Sequence, residues 1–485
     1  MKAKFLARVL AASALALSAL AGIIGGSQSI CAQGSSAKIV SVKVDASREW
    51  TVVRLEFDRS IPEYKLQLED RTARLVLTML NTNIAQAGLK GETVVDSFPV
   101  WKVTPYQGAV NCSLTIYLGY DCEYMIGKTD KSLLIKFPRQ VSYDRSIEIG
   151  GGVTWHTQAD EVAGRPIRYD WLEIPKDAAS KLAVKSTYSL DRTKRTMNLA
   201  EMCTRSGAIA GVNAGYFSGQ GVPVSTLVED GLFITSGRYP TRPMMLVAKD
   251  GGVRIGRFTV RPELISGGKL VQLNGLNCEM KDSATVIYNW NYPFDEIPLE
   301  GFVYKLSNGK LSPVIGGGIS ELTSQNEYYI VSLLAPEANP LKGLPEDTLV
   351  EVRCRIYDRK TDELIEVTSG VGGAPMLVID GVANVTLAED NVPNDIANGV
   401  RARTAIALTG DGAVLLVVVS EIRESFYKGL ELGELAGWLV KKGAVTAFNL
   451  DGGGSSQLVV GSNLINPYAG APRKLNNAIM VVPKA

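Results

Sequence analysis

The residues best equipped for chemistry are Asn449-Leu450-Asp451-Gly452-Gly453-Gly454-Ser455-Ser456. Two short apolar runs flank them, residues 444–448 and 457–460, and both read as strands. A tight turn between strands asks for one or two glycines. Three in a row, headed by a carboxylate and followed by two hydroxyls, exceed that need. Glycine lets backbone N–H groups approach a ligand closely, and successive N–H groups can form an anion-binding concavity. The plainer alternative is a flexible hairpin loop.

Composition narrows the chemistry. The chain has 485 residues, enough for two or three domains with real cores. Its 51 basic and 50 acidic residues nearly cancel, so no charge footprint argues for nucleic acid or an anionic membrane surface. There is one histidine, His156. That count argues against His-rich zinc sites and against Ser-His-Asp or Cys-His mechanisms unless His156 sits in the pocket. Carboxylates, hydroxyls, amides and arginines are left to do the work.

The first residues read as an export signal. Lys2, Lys4 and Arg8 precede an apolar run over 9–24, and Ile30-Cys31-Ala32 offers a cleavage site ending at Ala32. An uncleaved anchor is the alternative, although the run falls short of the roughly twenty residues a span needs. No later stretch is apolar enough to cross a membrane, so the mature protein is expected outside the cytoplasm. Five cysteines follow the signal: Cys112, Cys122, Cys203, Cys278 and Cys354. Cys112 and Cys122 are close enough in sequence to bridge a hairpin, while the odd count leaves a thiol over. Their wide spacing excludes a metal knuckle.

The elements that must position the glycine-rich turn follow from periodicity. Residues 40–44, 51–57, 74–77, 114–118 and 133–137 alternate apolar and polar, predicting strands of a small β-sandwich over 37–140. This stretch, with Val53-Arg54-Leu55-Glu56-Phe57-Asp58 and Ile61-Pro62-Glu63-Tyr64, resembles the AMIN domain. That resemblance implies an exported bacterial envelope protein and a peptidoglycan contact through the N-terminal domain. A polar, Gly-tailed stretch at 142–152 marks a boundary, with a second domain over 151–485. There, residues 167–174 and 208–212 read as strands, and 199–206 as a helix closed by Gly207. Hairpin signals recur at Asp250-Gly251, Asn308-Gly309, Asp380-Gly381 and Asp411-Gly412. Residues 430–442 form the clearest helix, with Leu432, Leu435, Ala436, Leu439 and Val440 on one face and Gly443 as its stop. The fold class predicted is α+β: a small β-sandwich, then a larger, mostly antiparallel α+β domain.

Three further segments place glycine and polar residues at strand ends: Asn213-Ala214-Gly215-Tyr216-Phe217, Gly372-Gly373-Ala374-Pro375 and Arg401-Ala402-Arg403-Thr404-Ala405. With Asn449 to Ser456 they resemble the phosphodiester glycosidase family, whose pattern runs N-x-G-Y-F, G-G-x-P, R-T-A, an amphipathic helix and L-D-G-G-G-S-S. All occur here in order, over roughly residues 151–483, and the last is the specific one. The family's best-known member removes N-acetylglucosamine from a phosphodiester linkage to mannose. The resemblance implies a hydrolase acting on a sugar phosphate or polysaccharide of the bacterial envelope or its surroundings, secreted or envelope-associated.

The chemistry agrees with that resemblance. A phosphodiester calls for a planar, permanently charged donor and backbone N–H groups, which Arg403 and the glycine loops can supply. Releasing a sugar calls for a carboxyl group near the anomeric carbon, and Asp451 is the first candidate. The catalytic candidates are Asp451, Asn213 and Arg403. The substrate-binding candidates are Gly215, Tyr216, Gly372, Gly373, Thr404, Arg423, Asn449, Gly452, Gly453, Gly454, Ser455 and Ser456. Each has a bland counterpart: Asn213 can satisfy backbone groups at a strand end, Phe217 can be core, and Arg401 shares a strand face with Arg403. Trp155 is either core or a sugar-subsite wall, and His156 lies outside every motif. The chain departs from the family where Glu421-Ile422-Arg423 stands for D-G-R and where Ala374 replaces a glycine. No cofactor is implied. Asp and Asn side chains with carbonyls would suffice for a divalent cation such as calcium, an option the sequence leaves open.

Overall fold

In the computed structural model, the described residues are 36–484 apart from 70–72, 90, 121, 140–141, 181, 190–194, 282–283, 317, 343, 345–348, 423 and 469–470. The export signal expected over residues 1–32 therefore lies outside the described residues. Period-two alternation is realised in the first part, where strand Trp50–Phe57 alternates half-buried and buried residues along its whole length, whereas central strands such as Val414–Val419 are buried throughout. Among the described residues strand takes 52% and helix 7%, in three α-helices, so the fold is mostly β and the α+β expectation is corrected. The reason is the density of turns. Asn308 and Gly309 both hold positive φ between strands Phe302–Ser307 and Lys310–Pro313, as do Asp380 and Gly381 between Met376–Ile379 and Val382–Ala383. Such turns match the strand twist and return the chain directly, leaving few segments long enough for a helix.

Two five-stranded sheets build the first part. One runs in the order Thr82–Asn83, Ala37–Ala46, Trp50–Phe57, Ser132–Pro138, Met125–Lys128. The other runs Tyr64–Glu69, Arg74–Leu80, Asn111–Leu118, Val100–Gln107, Thr93–Ser97. Leu55 and Phe57 from the first meet Leu75, Leu114 and Ile116 from the second in one core. Cys112 is buried in that core as a free thiol, so no bridge joins it to Cys122. Its burial pushes the thiol up to about 11.

That core is completed from far along the chain. Ile422, Phe426 and Tyr427 pack into it from a hairpin whose ends are bridged by Glu421 and Lys428. Phe426 meets Phe98 edge to face, ring centres 5.0 Å apart. The Tyr427 hydroxyl donates to the Gly119 carbonyl at 3.2 Å, and Ser425 Oγ donates to the Val95 carbonyl at 2.8 Å. The buried Arg168 guanidinium, paired with Asp170, also donates to Gly119.

The remainder is organised around an eight-stranded sheet. Its order is Tyr143–Gly150, Val153–Val162, Arg165–Ile174, Val414–Val419, Arg403–Thr409, Ala444–Asn449, Met376–Ile379, Val382–Ala383. One face packs on a five-stranded sheet containing Ala210–Asn213, Leu458–Val460 and Asn477–Pro483, with Leu416, Phe448, Val212 and Ile479 in the shared core. The other face is covered by helix α3, Leu432–Lys441, through Leu435, Trp438 and Leu439. Its N-terminus carries a capping box between Glu431 and Glu434. Helix α1, Leu199–Ser206, backs the five-stranded sheet through Met202 and Cys203. The third, α2, Asn394–Ala397, is a single turn. Residues between Phe258 and Ile365 form two further sheets, one of which packs through Phe258, Ile356 and Ile365 against Val228, Met244 and Leu246. Among the described residues no helix is long and apolar enough to cross a membrane.

Candidate functional site

Strand Ala444–Asn449 belongs to the eight-stranded sheet and strand Leu458–Val460 to the five-stranded one. The glycine-rich segment is therefore the crossing between two sheets rather than a hairpin within one. It folds into a 3₁₀ turn over Gly453–Ser455. The N–H groups of Gly453, Ser455 and Ser456 donate to the carbonyls of Ala402, Gly452 and Gly453. These donors hold the turn in shape instead of forming an open anion cradle.

Asn213 is the hub that joins the pieces. Its Nδ2 donates to the Asp451 carbonyl at 2.6 Å, while its Oδ1 accepts from Thr404 Oγ1 at 2.7 Å and from the Gln457 N–H at 3.0 Å. Thr404 also reaches Ser456 Oγ at 3.1 Å. The Asp451 N–H donates back to the Ala214 carbonyl at 2.9 Å. One buried amide thus ties together the Asn213, Thr404 and Asp451 segments, which lie far apart in sequence. Every one of its bonds is internal, so its evident work is to place Asp451.

Asp451 is partly buried. Burial raises its pKa from 3.8 to about 6, against the Ser455 hydroxyl, the Arg473 charge and the Gly452 N–H, all of which favour the anion. Arg473 donates to Ser455 Oγ at 3.3 Å. It was not legible as a site residue from the sequence, because nothing in its neighbourhood matches a motif. Arg403, by contrast, directs Nε, Nη1 and Nη2 to the carbonyls of Leu430, Ile396 and Gly399 at 3.0, 2.9 and 2.8 Å. Only 2% exposed, it braces the segment leading to helix α3. The cation beside Asp451 is therefore Arg473. Arg401 is exposed and makes a long bond to the Asn398 carbonyl.

Tyr216 and Asn449 close the back of the site. The Asn449 amide donates to the Tyr216 hydroxyl at 2.7 Å, and that hydroxyl donates to the Ala374 carbonyl at 2.8 Å. Burial, then the nearby Asp451 charge, pushes the Tyr216 phenol well above its ordinary range. Gly373 packs so tightly that an added Cβ would lie 2.3 Å from the Asn449 carbonyl oxygen and 2.7 Å from the Phe448 ring. Gly215 faces the Gly372 carbonyl in the same way, with its N–H held by Asn477 Oδ1 at 2.6 Å. Asn477 is a second residue that sequence reasoning missed.

Glu421 accepts the Ala402 N–H at 2.8 Å, and the Ala402 carbonyl holds Gly453. The carboxylate standing in the D-G-R position is thereby linked to the glycine-rich turn through one residue. Arg423 lies outside the described residues. Phe217 is partly buried against helix α1. Trp155 is 2% exposed in the core between the two main sheets, which settles its role as core. His156 stacks on Trp171 at 4.6 Å and lines a separate cavity of about 600 Å³ with Glu173 and Lys442. Among the described residues no group of three or more His, Cys, Asp or Glu side chains is placed to hold a metal ion.

A hypothetical protein from Synechocystis superimposes with a TM-score of 0.69 at 19% identity, covering 93% of this chain and 81% of that one, a likeness of fold. An uncharacterised protein of Rickettsia conorii (strain Malish 7) is 25% identical over 243 residues, 48% of this chain and 82% of its own. The catalytic domain of zebrafish N-acetylglucosamine-1-phosphodiester alpha-N-acetylglucosaminidase, auto-inhibited by its pro-peptide, overlaps at a TM-score of 0.39 and 12% identity. It covers 71% of this chain and 89% of that domain, too loosely to carry an argument. Residues 304–482, which include Gly373, Arg403, Asp451 and Arg473, match the model of the phosphodiester glycosidase family, and through that span the chain is similar to phosphodiester glycosidases.

Proposed function

We propose that this chain is an exported bacterial hydrolase that cleaves a glycosyl phosphodiester, of N-acetylglucosamine type, in envelope or extracellular polysaccharide. The observation that carries the reading is the Asp451 carboxyl, raised to about 6 and flanked by Arg473 on the turn that the family resemblance singles out. Above pH 6 the carboxylate is ionised and attacks, or activates water to attack, the anomeric carbon. The C–O bond to phosphate breaks and the phosphate leaves with the electron pair. A phosphate monoester is a stabilised anion, so one critical carboxylate suffices without strong acid assistance. Arg473 lies where it can offset the charge that develops on the departing oxygen. Export rests on the signal-like residues 1–32.

The test is release of reducing sugar from a panel containing UDP-N-acetylglucosamine and sugar-1-phosphodiesters, run in oxygen-18 water. Label in the sugar is expected. Label in phosphate would mean cleavage on the phosphate side and overturn the glycosidase reading. Binding of a panel member without release would make the protein a glycan-binding envelope component instead.

A further inference from the structure

A cavity of about 310 Å³ lies between the first part of the chain and the loop that follows strand Leu458–Val460. Arg74, Trp101, Lys102 and Tyr117 line one side, and Arg168 and Asn463 the other. Its volume is at the lower end of small-ligand pockets. Among the described residues three cations face it and no carboxylate does. Their ion-pair partners, Glu69 for Arg74, Glu92 for Lys102 and Asp170 for Arg168, are absent from the lining.

Two of these cations, Lys102 and Arg168, are buried and held in place. The Lys102 side chain is only 6% exposed, and its ammonium lies 4.1 Å from the Tyr117 ring centre and 5.1 Å from that of Trp101. An ammonium has three donors, and Glu92 takes one at 3.0 Å. Arg168 spends its guanidinium on Asp170 and on the carbonyls of Gly119 and Ile465, so it lends the wall charge rather than a donor. The remaining Lys102 donors and the Arg74 guanidinium, on a wall whose paired carboxylates stand behind it, suit an anion. The same loop touches the proposed active site on its other side. The Tyr468 hydroxyl donates to the Gly454 carbonyl, and the Arg473 N–H donates to the Tyr468 oxygen at 3.3 Å.

We propose that this cavity is an anionic-saccharide subsite, shared between the N-terminal sheets and the C-terminal loop. It would hold a negatively charged sugar unit of the polymer whose linkage is presented to Asp451, and so rests on the functional reading above. The cations recognise the charge, and Asn463 with the loop carbonyls recognises hydroxyls. On this account the N-terminal part supplies substrate contacts as well as structure.

The test is calorimetric titration of the full chain with N-acetylglucosamine 1-phosphate, together with crystals soaked in it. Density between Lys102, Arg74 and Asn463 is expected. Arg74→Gln and Lys102→Met should each weaken binding about tenfold, the usual effect of losing a charge-assisted hydrogen bond. Arg74→Lys should recover most of it. Arg74 is half-exposed, so its variants should melt with the wild type, which separates lost binding from lost folding. Unchanged affinity in both variants, equal binding of neutral N-acetylglucosamine, or equal binding of inorganic phosphate would each overturn the proposal. Because binding is read without turnover, a chain that binds here but releases no sugar keeps the subsite and removes the hydrolase. A hydrolase indifferent to both substitutions does the reverse.

Discussion

Replacing Asp451 with asparagine should make the protein inactive and, at neutral pH, more stable. The native carboxyl holds its proton to about pH 6, whereas the unfolded chain releases it near 3.8. Below 3.8 both states are protonated and the group is neutral toward folding. As pH rises from 3.8 toward 6, the unfolded chain ionises first and stability falls, levelling off once the native group has ionised too. A displacement from 3.8 to about 6 corresponds to ~3 kcal/mol at pH 7.5. By the same linkage it shrinks to ~1 kcal/mol at pH 4.5. Asp451 is only partly buried, which trims both figures, and asparagine can keep the bond to Ser455. Urea unfolding at the two pH values measures the difference. An Asp451→Asn protein less stable than wild type at pH 7.5, or a gain that does not shrink toward pH 4.5, would refute the burial argument. Wild-type sugar release by the variant would refute the chemical role and leave the burial argument standing.

Arg473→Met should shift the acidic limb of the pH–rate profile upward, because its charge now lowers the Asp451 pKa; an unmoved limb in initial-rate measurements would remove Arg473 from the site. Gly373→Ala should destabilise by about 2 kcal/mol or more through overlap with Asn449 and Phe448. Gly433→Ala, in open space on helix α3, should instead stabilise by about 0.5–1 kcal/mol, and paired denaturant curves check both. His156→Phe should keep the stack on Trp171 while removing a pH response. Burial lowers the His156 pKa beneath 6.5, so wild-type stability should decline as pH falls through that region and the variant's should not, read from melting temperatures between pH 5 and 7.5. Phe426→Ala should cost about 3–5 kcal/mol and, in scanning calorimetry, lower the melting of the N-terminal sheets although the residue lies hundreds of positions away.

Much of the local structure was legible because it is local. Alternation placed strands such as Trp50–Phe57, a short apolar run placed Ala444–Asn449, and Gly207 and Gly443 marked the ends of helices α1 and α3. The balance of the fold was misjudged because two readable helices suggested a helical layer, whereas each covers a single sheet face. The site divides along the same line. Asp451, Asn213 and Thr404 sit at strand ends with polar side chains out of pattern, and the structure brings them together. The assignment of phosphate contact to Arg403 rested on charge and motif. Burial engages that guanidinium with three carbonyls, and the loop geometry that brings Arg473 to Ser455 has no signature in spacing. Likewise Ile422, Phe426 and Tyr427 look like ordinary apolar loop residues until the fold inserts them into another core.

That insertion has a temporal side. Val95 and Ser425 bond across 330 residues of sequence, beside the Phe98–Phe426 contact. During synthesis the first sheets must wait, with an apolar face uncovered, until nearly nine-tenths of the chain has emerged. Such distant closure makes folding slow and aggregation-prone. A truncated transcript or an early stall would yield not a usable N-terminal fragment but a sticky one. The hairpin thus acts as a completion check, since the first part to be made is among the last to be finished.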